Sequence, residues 1–293
     1  MSKESAPKRE PAPRRRKRKR PTLWVSAFLL VCLAVEGYVS NRVLETSRYT
    51  IVSERLPAAF DGFKIVHLSD WHDARFGPDN RELIELVRAE KPDMIALTGD
   101  FVEFLSDLPD MESLCRALVD IAPTYYVTGN HEWARVIVRP LRALLDSCGV
   151  VNLDNRVETI SRNGASIRLV GIEDLNGPSD QRPLSEMVAR ARDGEDPYLV
   201  MLCHRYDRWN EFVAQRVDLA LTGHAHGGII RLPFTDGIYG PGRVFFPQHT
   251  SGVTQEGRVF MVASRGLGTA RHLPLRLFNR PEVVSVTLKA VAP

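Results

Sequence analysis

Five short apolar runs in this sequence each stop at side chains able to bind a metal ion. FKIVHLSD ends at Asp70, with His72 two residues on. PDMIALTGD ends at Asp100, and PTYYVTGNHE carries Asn130 and His131. YLVMLCH ends at His204, and VDLALTGHAH closes on His224 and His226. Short β-branched and aliphatic runs bounded by Gly, Asp or Asn read as buried strands. In open α/β sheets the carboxyl ends of strands line one crevice. A fold that satisfies all five runs can therefore bring these side chains together. Five of the eight histidines lie at the ends of these runs; His67, inside the first run, and His249 and His272 do not.

Each motif alone has a plainer explanation. Gly-Asp and Gly-Asn at a strand end are common turn or capping pairs. His204 on an apolar run reads as a satisfied core histidine, and Asp70-x-His72 is a frequent structural pair. Gly-His-Ala-His is sharper, because two histidines at i and i+2 between glycines suit a tight metal-binding loop. It is the order of all five, each after a strand, that makes the plain explanations fail together.

Between these runs lie helical patterns at RELIELVRAE (81–90), MESLCRALVDI (111–121) and WARVIVRPLRALLDSCG (133–149), with Pro140 a break or kink. YTIVSERL reads as an edge strand. The second half is richer in strands: SIRLVGIED, YLVMLCH, VDLALTGH, RVFMVASRG and EVVSVTLK, with a Gly/Pro-rich loop at 233–252. The pattern predicts an α/β fold of two mixed β-sheets packed face to face with flanking helices, preceded by one transmembrane helix. With 44% hydrophobic residues in 293, the chain can bury a sizeable core.

The net charge of +3 hides a segregation. Residues 1–20 carry ten Lys/Arg against two Glu, a local +8, which leaves −5 on the other 273 residues. TLWVSAFLLVCLAVEGYVS follows, with no charge from Leu23 to Val35. Nineteen helical residues, Pro21 to Val39, span roughly 28 Å, close to the ~30 Å hydrocarbon core. Trp24 and Tyr38 lie near the ends, where aromatic rings favour the interface. RRRKRKR at 14–20 places the N-terminus in the cytoplasm and everything beyond residue 40 outside. A cleaved signal peptide or a twin-arginine export signal is the competing reading, and either still exports the body. The expected organisation is a basic cytoplasmic tail (1–20), a transmembrane helix or signal anchor (21–40), a linker (41–50) and one folded domain (51–293) that carries the five motifs. Cys32, Cys115, Cys148 and Cys203 show no CxxC spacing, and a Cys115–Cys148 disulfide is permitted but not demanded.

Mixed nitrogen and oxygen ligands without thiolate suit Mn²⁺, Fe or Zn²⁺. The set exceeds what one ion needs, so two divalent ions with a bridging carboxylate are natural. Two ions about 3.5–4 Å apart can bind a phosphoryl group and turn a bridging water into a hydroxide nucleophile near neutral pH.

In order, D-x-H, G-D-x-x-[DE], G-N-H-[DE], a lone H and G-H-x-H resemble the calcineurin-like metallophosphoesterases. The likeness is greatest to the membrane-anchored bacterial branch of YkuE-like and YaeI-like proteins. It runs from about residue 49 to the end and includes SDWHDARFG, GHAHGGIIRLPF, the PG-x-x-FFP loop, SRGLG (264–268) and FNRPEVVSVTL. The resemblance implies that Asp70, His72 and His226 bind one ion, that Asn130, His204 and His224 bind the other, and that Asp100 bridges. It implies that His131 is catalytic, stabilising phosphoryl oxygens or protonating the leaving group. Glu103 and Glu132 would orient ligands. Arg265 would reach a substrate phosphate or form a structural salt bridge. Trp71 replaces the usual aliphatic residue inside D-x-H, and Ala225 stands where threonine is commoner; Trp71 either contacts substrate or packs under the loop.

The implied activity is hydrolysis of a phosphoester, with phosphodiester favoured, by a membrane-anchored enzyme outside the cytoplasmic membrane. The substrate would be lipid-linked or part of the cell envelope. The alternative is a pyrophosphatase acting on a UDP-diacylglucosamine type of lipid precursor, which needs the domain on the cytoplasmic face. A non-catalytic scaffold is disfavoured because every expected ligand is present. No nucleic-acid partner is expected, since the span separates the basic tail from an acidic body.

Overall fold

The computed structural model describes residues 21–178, 182–232, 235–269 and 276–291, with the side chains of 21–23 excepted; the basic tail (1–20) and His272 lie outside these. The helices are α1 (Pro21–Arg42), α2 (Arg81–Glu90), α3 (Leu108–Val119), α4 (Asn130–Ala134), α5 (Val138–Cys148), α6 (Leu184–Arg192) and α7 (Trp209–Ala214). The first strands are β1 (Glu45–Ser53), β2 (Lys64–Leu68), β3 (Met94–Thr98), β4 (Thr124–Val127) and β5 (Val151–Asn152). Next come β6 (Val157–Arg162), β7 (Ala165–Ile172), β8 (Leu199–Arg205) and β9 (Leu219–Gly223). The last are β10 (Ile230–Arg231), β11 (Gly237–Gly240), β12 (Val244–Phe245), β13 (Gly252–Glu256), β14 (Val259–Ala263) and β15 (Glu282–Ala290).

The chain divides into two compact units, Met1–Val35 and Glu36–Pro293. In the first, α1 exposes its apolar side chains from Trp24 to Val35; the stretch Trp24–Arg42, which runs on into the second unit, is long and apolar enough to cross a membrane. The second unit holds two six-stranded mixed sheets. One runs β1-β15-β2-β3-β4-β5 and the other β13-β14-β9-β8-β7-β6. Within each the site-bearing strands are parallel neighbours: β2, β3 and β4 in the first, β8 and β9 in the second.

The sheets are held face to face by a shared apolar layer. Ile65, Ala96 and Val127 from the first sheet pack with Leu169, Val200, Leu202 and Leu221 from the second. Outside, α2, α3 and α5 cover the first sheet through Leu83, Val87, Leu114, Leu118, Leu141 and Leu145. Helices α6 and α7 cover the second through Met187, Val188 and Phe212. Strands buried on both faces lose the polar alternation of half-exposed ones, which is why β3 reads MIALT and β9 LALTG.

Three boundaries differ from the sequence reading. Helix α1 continues to Arg42 and β1 begins at Glu45, so only Val43 and Leu44 connect them. ETSR is polar and lies in an edge strand paired on one side with β15, so no apolar alternation marks it. Pro140 does not break its helix; it lies in the first turn of α5, where a missing N–H is tolerated, and the break falls upstream between Ala134 and Val138. Cys115 and Cys148 are buried free thiols.

Candidate metal centre

The seven expected ligand side chains lie at the carboxyl ends of β2, β3, β4, β8 and β9, His204 within β8 itself and Asn130 opening α4, and the fold draws them into two overlapping groups. Asp70, His72, Asp100 and His226 offer ligand atoms within 4.8 Å of one another, as do Asp100, His204 and His224. Asp100 belongs to both. Asn130 joins the second group, its Oδ1 3.1 Å from His204 Nε2.

The backbone is bent to do this. Asp70, His72, Asp100, His224 and His226 all have positive φ, between 47° and 65°. Non-glycine residues adopt that region rarely and at a cost of order 1 kcal/mol or more, and such strain clusters at functional sites. The loops also crowd one another. A Cβ at Gly99, φ 77°, would overlap the backbone of Gly129, and one at Gly129 would overlap Asp100.

Two buried glutamates hold the loops. Glu132 accepts N–H bonds from Asp100 (3.1 Å), Phe101 (2.7 Å), Val102 (3.1 Å) and Gly129 (2.8 Å), and the Tyr126 hydroxyl at 2.9 Å. Glu103 Oε1 lies 2.9 Å from His72 Nδ1 and 3.4 Å from His131 Nδ1. His204 Nδ1 lies 2.7 Å from the carbonyl of Thr98, so Nδ1 carries the proton and Nε2 faces Asp100.

The residues fit a metal on an observation independent of motif. Among the described residues, His72 Nε2 and His226 Nδ1 are buried nitrogens with no hydrogen-bond partner, an arrangement that calls for an explanation such as an ion. Electrostatics agree. Burial opposes charge on His204, but Asp100 outweighs it and raises the pKa to about 10. Burial lowers His226 to about 4 and holds His224 well below its ordinary value. A cation that takes His204 displaces its proton, so metal uptake here releases acid.

A cleft of about 190 Å³ opens on this centre, lined by Asp100, Asn130, His131, His224, His226 and Arg276 among others. His131 is partly exposed to it. Arg265 is occupied elsewhere: its guanidinium pairs with Glu282 at 3.1 Å and Glu45 at 3.2 Å. Trp71 is fully buried and donates to the Ala74 carbonyl at 2.6 Å, so it packs under the loop and does not reach the cleft.

The chain from Phe63 to Gly228 matches the calcineurin-like phosphoesterase family. This protein is a calcineurin-like phosphoesterase. It is 32% identical over 267 residues to the uncharacterized metallophosphoesterase YkuE of Bacillus subtilis, covering 86% of this chain and 88% of that protein. It is 32% identical over 268 residues to the phosphodiesterase YaeI of Escherichia coli, covering 86% and 93%. A Danio rerio transmembrane protein with a metallophosphoesterase domain is 27% identical over 293 residues, covering 91% of this chain and 62% of that one. The phosphoesterase is thus a phosphoester hydrolase of a family that works with divalent metal ions, and its buried Asp/His groups are able to hold them.

Sequence reasoning missed three residues around this phosphoesterase's centre. Arg276 is buried and donates to the carbonyls of Asn279 (2.8 Å), Gly268 (2.6 Å) and Arg265. Asn279 donates to the carbonyls of His226 (2.7 Å) and Ile229 (3.1 Å), fixing the GHAHGG loop. Arg205, just after the lone histidine, lies 3.2 Å from His224 Nε2 and is held by Asp174. FNRPEVV offered a signal for Asn279, a polar residue among Phe, Arg and Pro, but not for its partner more than 50 positions earlier.

Proposed function

We propose that this chain is a dinuclear phosphohydrolase with a preference for phosphodiesters, held on the membrane by residues 21–40 with its catalytic domain outside the cytoplasmic membrane. The observation that carries the dinuclear reading is the sharing of Asp100 by two ligand groups. Asp70, His72 and His226 would hold one divalent ion, and Asn130, His204 and His224 the other. Bound ions would supply Lewis-acid activation of water and neutralise phosphoryl charge.

The chain's own groups do the rest. Glu103 sets the proton on His72 Nδ1 and leaves Nε2 free for an ion. Thr98 does the same for His204 through its carbonyl. Burial lowers the pKa of His131, which makes the charged ring a stronger acid toward a departing alkoxide while favouring the neutral ring near pH 7. The acid–base role is supported by its partial exposure beside Asp100 and Glu103. The anchored topology is supported by the apolar helix and the basic residues before it.

The test uses the full chain purified in detergent without chelator. Bound metal is measured per chain, and turnover of a bis-aryl phosphodiester is compared with that of the matching monoester. Close to two ions, faster diester turnover and loss of both in His226→Ala support the reading. A folded chain with one ion and full activity overturns the dinuclear part, and faster monoester turnover overturns the preference.

A further inference from the structure

The small sheet β10-β11-β12 carries an apolar rim beside the cleft. Val244, Phe245 and Phe246 are consecutive and exposed, the phenylalanines to 68% and 74%. Phe245 leans on Tyr239, ring centroids 5.3 Å apart, yet keeps that exposure. Leu232 and Phe278 are exposed as well. Three successive large apolar residues facing water mark a surface that something covers.

The rim is continuous with the end of the membrane helix. Tyr239 pairs with Phe245 on one side and Ile230 on the other. Ile230 bridges to Leu277. The next residue, Phe278, donates its N–H to Glu36 Oε1 at 2.8 Å, and Asn279 donates its N–H to Ser40 Oγ at 3.1 Å. Glu36 is the first charge after the apolar run, so a helix that spans from Pro21 to Val39 puts Glu36 and Ser40 at headgroup depth. Phe278 is then at that depth too. The flanking charges suit an anionic surface: Arg42 ends α1, exposed Arg243 precedes Val244, and Arg280 donates to the carbonyls of Val43 and Leu44. The acids beside them are engaged: Asp236 lies 3.7 Å from Arg231, Glu45 3.2 Å from Arg265, and Glu36 accepts from Phe278 and Ser40.

The rim also borders the chemistry. Pro241 and Gly242, between β11 and β12, line the metal cleft together with Ile229. Val244 and Pro247 line the adjoining pocket, which shares Asn130 and His224 with that cleft.

We infer that Val244–Phe246, Leu232 and Phe278 seat on an anionic bilayer surface and that the site takes a phosphoester carried by a membrane lipid. Amphipathic groups at this depth bury apolar area in the headgroup boundary while arginines meet the lipid phosphates. A substrate whose phosphate lies at the same boundary enters the cleft without leaving the membrane. The inference rests on the anchored reading of residues 21–40.

The test uses the full chain in nanodiscs of phosphatidylcholine and phosphatidylglycerol at about three to one. With Cys32→Ser as background, an environment-sensitive fluorophore is placed by Leu29→Cys, Phe246→Cys or Lys91→Cys, and spin-labelled lipid is the quencher. Lys91 lies before β3, at the strand end opposite the cleft. Severalfold quenching at 29 and 246, and none at 91, is expected. Quenching at 29 without quenching at 246 overturns the seating and leaves the anchor intact. No quenching at 29 overturns the anchor itself. The substrate claim is read with hexadecyl nitrophenyl phosphate in the discs against methyl nitrophenyl phosphate in solution. At least a tenfold kcat/KM advantage for the hexadecyl ester is expected, closing in the Phe245→Ser/Phe246→Ser double variant. No advantage, or one that survives the double variant, overturns it, whereas no turnover of either ester faults the phosphodiesterase reading instead.

Discussion

Glu103 Oε1 is 2.9 Å from His72 Nδ1, and the same oxygen is within 3.4 Å of His131. One carboxylate therefore sets the orientation of an expected ligand and of the expected acid–base group. Removing such a partner typically costs 10–100-fold in metal affinity. Glu103→Ala should lower affinity in that range, read by competition with a fluorescent chelator. Glu103→Gln, which keeps an acceptor oxygen, should recover most of it.

Glu132 satisfies four backbone donors and a tyrosine hydroxyl out of contact with water. Glu132→Ala leaves those donors unpaired, at about 3–5 kcal/mol by analogy with breaking a buried charged network. Urea unfolding of the metal-free chain checks this. Tyr126→Phe, which removes only one donor, should cost about 1 kcal/mol.

Gly99 and Gly164 share nearly the same dihedral, φ 77° and 80°, but not the same surroundings. Among the described residues nothing lies within 4 Å of a Cβ at Gly164, whereas at Gly99 one would overlap Gly129. Gly164→Ala should cost only backbone strain, about 1 kcal/mol. Gly99→Ala should add an overpacking term of about 1–3 kcal/mol and reduce bound metal. Equal shifts in melting temperature for the two would refute the crowding argument.

His67 lies fully buried in β2, 2.7 Å from the Thr98 hydroxyl. Burial pushes its pKa down to about 3, with Asp70 offsetting part of the effect. The unfolded chain protonates His67 below about pH 6.5 while the folded chain resists. Its contribution is therefore full above about pH 6.5 and falls by about 1.4 kcal/mol per pH unit toward pH 3. His67→Gln should flatten that part of the acid limb, seen as a smaller drop in urea midpoint between pH 7 and pH 5 in metal-free protein.

The layered fold was legible because buried parallel strands write themselves as unbroken apolar runs, and MIALT and LALTG leave little else to be. The clustering of the candidate ligand side chains was legible because tight loops at strand ends need Gly, Asp, Asn or His, which are also the metal-capable types. Contacts made by ordinary residues across long separations were hidden. Arg276 and Asn279 hold the His226 loop through carbonyl groups, which any sequence supplies, so no pattern announces them. The resemblance left Arg265 open between substrate and salt bridge because Glu45 and Glu282 are more than 200 positions apart.

The left-handed backbone at Asp70, His72, Asp100, His224 and His226 sets a trap for anyone engineering this protein. At each of these positions glycine relaxes the chain while deleting an expected metal donor. A screen that rewards heat tolerance alone would therefore accumulate robust, inert variants. Hardiness has to be sought elsewhere, in the helices and sheet faces, with turnover scored in the same round.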